Sequence, residues 1–138
     1  MIGRILIVDD NAINLKLAAE VLFAEGCEVT RAIDAENALR VLAELIPDLI
    51  LMDIGLPGMD GLTLTRLIKA DPRLCRVPVV ALTAYAMRGD DLKAVEAGCD
   101  GYITKPIDTR KLITQVASIL AAAQLQKSQT VLPVAGVD

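Results

Sequence analysis

Three carboxylates and one ammonium stand where short aliphatic runs end. Asp9-Asp10 follows Ile5-Leu6-Ile7-Val8, Asp53 follows Leu49-Ile50-Leu51-Met52, and Lys105-Pro106 follows Gly101–Thr104. A fourth run, Val77–Thr83, ends in a hydroxyl. Taken singly, each is ordinary. An Asp pair is commonly a turn and a helix cap, a lone Asp a loop residue, and Lys-Pro a solvated turn. Brought to one rim they become chemistry. Carboxylates crowded together repel, and each is driven toward protonation. A hard divalent cation relieves this, and Mg²⁺ binds through one or two carboxylates plus phosphate oxygens. A carboxylate is also a nucleophile in phosphoryl transfer, forming an aspartyl phosphate. The protein's remaining task is positioning and charge neutralisation. Lys105 can supply a point charge for a phosphoryl group, and Thr83 a hydroxyl donor.

The elements that would position these groups are legible as alternation. Five β-rich runs, Arg4–Val8, Glu28–Ala32, Asp48–Met52, Val77–Thr83 and Gly101–Thr104, read as strands. The first and third are almost unbroken apolar, as a central parallel strand covered on both faces requires. Between and after them lie amphipathic stretches: about Ala12–Glu25 before Gly26, about Ala35–Glu44 with Asp34 as N-cap, and Gly61–Ala70 before Pro72. Two more follow, Asp90–Ala97 before Gly98 and Thr109–Ala123. This (βα)₅ pattern predicts an α/β fold, a flavodoxin-like open parallel sheet with helices on both faces and strand order 2-1-3-4-5. Ligands of such sheets bind beyond the carboxyl ends of the strands. Residues 1–123 read as one domain and 124–138 as a flexible tail or linker.

Composition narrows the function. The chain has 138 residues, 54% hydrophobic but only 2% aromatic, so the core must be aliphatic. The net charge of −4 comes without any Lys/Arg run, which leaves nucleic acid no electrostatic footprint. No apolar stretch is long enough for a membrane span, and the N-terminus does not resemble a signal peptide. Cys27, Cys75 and Cys99 lack metal-ligand spacing and read as reduced thiols of a cytoplasmic protein. There is no histidine, so a histidine phosphodonor must belong to another chain or segment.

With these residues placed, the chain over about residues 3–123 resembles the receiver domains of two-component response regulators. It is chemotaxis-receiver-like, of the stand-alone cell-cycle or hybrid-kinase type. The matching motifs are Ile5-Leu6-Ile7-Val8-Asp9-Asp10-Asn11, Asp48 through Gly61, Val77 through Ala84, and Gly101-Tyr102-Ile103-Thr104-Lys105-Pro106. The resemblance implies that Asp53 is the phosphoacceptor and Lys105 the phosphate counter-charge. It implies Asp10, Asp53 and the Gly55 backbone carbonyl as ligands of Mg²⁺ (Mn²⁺ as a substitute), with Asp9 acting through water. Thr83 and Tyr102 are implied as a switch pair, Ala84 leaving room for the ring, and the Lys105–Pro106 bond as cis. Gly55 and Tyr85 flank the approach of hydrolytic water. Gly55 has no side chain to orient a water, so a long-lived phosphoryl group is expected. The implied partners are a sensor histidine kinase or histidine phosphotransfer protein, and a downstream protein on the face of the fourth helix, fifth strand and fifth helix. Catalysis is confined to the domain's own phosphorylation and slow dephosphorylation.

Rival readings exist. A haloacid-dehalogenase-like phosphatase needs Asp-x-Asp where this chain has Asp9-Asp10-Asn11. A flavin module needs a Ser/Thr-rich loop after the first strand and aromatic flanks. A degenerate receiver acting only as an interaction module stays open until phosphorylation is measured.

Overall fold

The computed structural model describes residues 3–56, 58–83 and 90–137, with side chains described except those of 90–93, 124 and 126–137. Five strands, β1 Arg4–Val8, β2 Glu28–Ala32, β3 Leu49–Asp53, β4 Val79–Thr83 and β5 Gly101–Thr104, alternate with five helices. The helices are α1 Ala12–Ala24, α2 Ala35–Glu44, α3 Gly61–Ala70, α4 Asp90–Ala97 and α5 Thr109–Val137. The sheet order is β2-β1-β3-β4-β5 and every pairing is parallel. This is the expected order.

Successive strand side chains point to opposite faces, and the core divides accordingly. Ile5, Ile7, Leu49, Leu51, Val80 and Leu82 pack with Leu15 and Leu22 of α1 and Leu112, Val116 and Leu120 of α5. Leu6, Val8, Ile50, Met52 and Val79 pack with Ala38 and Leu42 of α2 and Leu64 and Ile68 of α3. β3 and β4 are buried at every position, whereas the edge strand β2 buries only Ala32. Side-chain caps start four of the helices. Asn11 accepts from the Ile13 and Asn14 amides, Asp34 from Asn37, Asp60 from Thr63, and Asp108 from Arg110 and Lys111. No helix among the described residues is long and apolar enough to cross a membrane.

Several boundaries differ from the sequence reading. β3 begins at Leu49 and includes Asp53, which pairs with Leu82 of β4, while the Asp48 carboxylate accepts from the Arg4 amide at 2.8 Å. β4 begins at Val79, since Pro78 has no N–H to give a ladder. The pattern ends the fifth helix near Ala123, yet the backbone stays helical to Val137. Residues 124–132 hold no Gly or Pro and several good helix formers, so nothing stops the helix before Pro133.

Candidate functional site

Register carries the chemistry to one rim. Val8 pairs with Met52, Asp53 with Leu82 and Thr83 with Thr104, so the residues at the ends of β1, β3, β4 and β5 emerge together. The Lys105 amide donates to the Thr83 carbonyl at 2.7 Å, holding the two loops at that rim. The Lys105–Pro106 peptide bond is cis.

Carboxylate oxygens of Asp9, Asp10 and Asp53 lie within 4.8 Å of one another. Asp9 and Asp53 are buried and Asp10 is exposed. The Lys105 ammonium bridges the buried two, 3.3 Å from Asp9 Oδ2 and 3.2 Å from Asp53 Oδ2. The other oxygens meet backbone. Asp9 Oδ1 accepts from the Asn11 amide and Asp53 Oδ1 from the Gly55 amide, both at 2.9 Å. Asp9 Oδ2 has no hydrogen bond, because the ammonium nearby does not approach it in donor geometry. Burial pushes the Asp9 carboxyl above its ordinary value and the Asp53 charge adds to this, while the Asn11 amide and Lys105 oppose it. An orphaned buried carboxylate oxygen in an all-oxygen cluster fits a hard divalent cation.

The remaining predicted residues fall as follows. Thr83 is buried at the end of β4. Tyr102 is opposite Ala81 in β5, 41% exposed. Gly55 sits beside Asp53, its N–H engaged with the carboxylate. Tyr85 and Ala84 lie outside the described residues. Two features escaped the sequence reading. Asn11 both caps α1 and offers its amide to Asp9. Gly61, the first residue of α3, lies directly against the Asp53 main chain. A glycine opening a helix straight after its Asp cap was the available signal.

Residues 5–117 match the family described as response regulator receiver domain. The chain belongs to that family. The receiver is 44% identical over 119 residues to response regulator PleD of Caulobacter vibrioides, covering 86% of this chain but 26% of PleD. It is 42% identical over 123 residues to the polar-differentiation response regulator DivK of Brucella ovis, covering 89% of this chain and 100% of DivK. Among solved structures, a CheY-like response regulator receiver domain protein from Methanospirillum hungatei superposes with a TM-score of 0.82 at 32% identity, covering 91% of this chain and 99% of the other. The chain is thus a receiver of two-component signalling, similar to both relatives. It spans about a quarter of PleD and the full length of DivK.

Proposed function

We propose that the receiver accepts a phosphoryl group on Asp53 from a phosphohistidine of a sensor kinase or histidine phosphotransfer protein. The single observation that carries this is the Asp53 carboxylate, held 3.2 Å from the Lys105 ammonium inside a three-carboxylate cluster. A carboxylate oxygen of Asp53 attacks phosphorus as the bond to the histidine nitrogen breaks, and the imidazole leaves with the electron pair. Lys105 keeps its proton and faces the incoming phosphoryl oxygens. Thr83, at the same rim, donates its hydroxyl to one of them. Asp10, Asp53 and the Gly55 carbonyl would hold Mg²⁺, with Asp9 through water. The metal, when bound, neutralises charge on the transferring group.

Loading then favours one of two conformations through Thr83 and Tyr102. The output is a protein contact on the α4–β5–α5 face rather than nucleic acid or membrane, in the cytoplasm. Residues 124–138 serve as a tail or linker beyond the domain. With glycine at position 55, hydrolysis is slow.

Asp53→Asn tests the assignment. With acetyl phosphate and Mg²⁺, the parent should gain one phosphoryl adduct by intact mass, labile to hydroxylamine, and the variant none. An undiminished adduct in Asp53→Asn would remove the assignment. An unmodified parent with all site residues intact would favour the interaction-module reading.

A further inference from the structure

The first turn of α3 is seated on the backbone of the acceptor residue. A Cβ built at Gly61 would press against the Asp53 carbonyl oxygen, 2.7 Å from Ile54 Cα and 2.9 Å from the Asp53 carbonyl carbon. These are main-chain atoms, which cannot swing aside as the end of a long side chain can. Gly61 is not among the glycines with positive φ. Space alone excludes a side chain there, and not the backbone conformation.

The seat is fastened from several directions. The Gly61 amide donates to the Ile54 carbonyl at 3.4 Å. The Gly61 carbonyl accepts from the hydroxyl of fully buried Thr65 at 2.7 Å. Asp60 caps the helix start. At the other end of the same loop, the Gly55 amide grips Asp53 Oδ1. Gly55 on one side of the loop and Gly61 on the other are therefore both held against Asp53.

We propose that Gly61 is a positioning residue for phosphoryl transfer: its bare Cα lets α3 fix the Asp53 main chain and the loop carrying Gly55. This rests on Asp53 being the acceptor. A methyl group at position 61 must push α3 outward or displace the Asp53–Ile54 peptide. Either movement shifts the carboxylate relative to Lys105 and carries Gly55 with it. Displacements of about 1 Å in a reacting group can cost roughly a hundredfold in rate.

The test compares the full chain with Gly61→Ala and with Val116→Ala. Val116 is buried in the other core layer, so its truncation lowers stability without touching Asp53. Three quantities are read: metal-free amide chemical shifts of Asp53, Ile54 and Gly55, Mg²⁺ affinity by titration calorimetry, and the phosphorylation rate at saturating acetyl phosphate. Gly61→Ala should move all three amides, weaken Mg²⁺ several-fold, and lower the saturating rate by about ten- to a hundredfold. Val116→Ala should keep the parental rate and affinity at a comparable or larger loss of melting temperature. Gly61→Ala with parental rate and affinity would overturn the proposal, as would a loss no greater than that of Val116→Ala. If Gly61→Ala does not fold, Thr65→Val decides. It removes the bond to the Gly61 carbonyl and should slow the saturating rate several-fold, and a parental rate there would overturn the proposal. A parent that takes no phosphate would remove the acceptor assignment and the proposal with it.

Discussion

Asp9 Oδ2 is a buried oxygen without a hydrogen-bond donor, within reach of a second buried carboxylate. Such an arrangement is poor for folding and useful for binding a cation. The raised carboxyl gives the sign. Between the ordinary value of 3.8 and the higher folded value, the native state binds more protons than the unfolded one. Stability is therefore lost as pH rises through that window, and the penalty persists at neutral pH. Asp9→Asn keeps an acceptor for the Asn11 amide and removes the buried charge. Without metal at neutral pH it should melt higher than the parent, by about 4 °C if roughly 1 kcal/mol of penalty is relieved. Adding Mg²⁺ should raise the melting temperature of the parent, because a ligand of the native state stabilises it by mass action. The variant should respond less. Calorimetric scans with Mg²⁺ and with chelator check both. A variant that melts lower than the parent without metal would show that the Lys105 contact outweighs the burial cost.

At the scale of elements, α3 presents Gly61, Thr65 and Lys69 along one stripe at four-residue spacing. Gly61 meets Asp53, the Thr65 hydroxyl donates back to the Gly61 carbonyl, and the Lys69 ammonium reaches the far end of the sheet. It donates to the Val77 carbonyl at 2.8 Å and the Asp100 carboxylate at 3.0 Å. Asp100 in turn accepts from the first amide of β4 at 2.9 Å. Gly98, with φ +103°, turns the chain out of α4 so close that a Cβ would lie 2.9 Å from Lys69 Cγ. Lys69→Met should lower the unfolding free energy by about 1 kcal/mol, since it strands the partly buried Val77 carbonyl. Urea titration measures this, and an unchanged midpoint would show that water replaces the ammonium without cost.

Much of this scale was legible beforehand, for reasons that differ by element. Strands β1 and β3 were plain because burial on both faces leaves only apolar residues. Their polar successors, Asp9 and Asp53, stood out against those runs. The edge strand β2 was placed through turn residues more than pattern. Which of Asp9 and Asp10 is buried was not legible, since that depends on the Asp9 amide pairing with Ala32 across the sheet at 3.0 Å. The contact at Gly61 is a distance between two backbones that no periodicity encodes, and its one sign in the sequence is a glycine opening a helix straight after its Asp cap.

Taken whole, the described part of the molecule is an aliphatic sandwich with its carboxylate cluster at one end of the sheet. The low aromatic content has an optical consequence. The chain has no tryptophan, one phenylalanine and two tyrosines, Tyr85 and Tyr102. One follows β4 by two residues and the other lies in β5, a residue 41% exposed. Ultraviolet emission from this protein therefore comes from two tyrosines, one of them Tyr102 of the proposed switch, with no indole to absorb or mask it. The receiver carries its own reporter. If loading turns Tyr102 inward, emission or near-ultraviolet dichroism should change as the phosphoryl adduct accumulates, with the same rate constant as the mass shift. Tyr102→Phe should remove that component and leave the Tyr85 signal. A parent spectrum unchanged at full phosphorylation would mean that the ring stays at the surface and that output leaves the domain by another route.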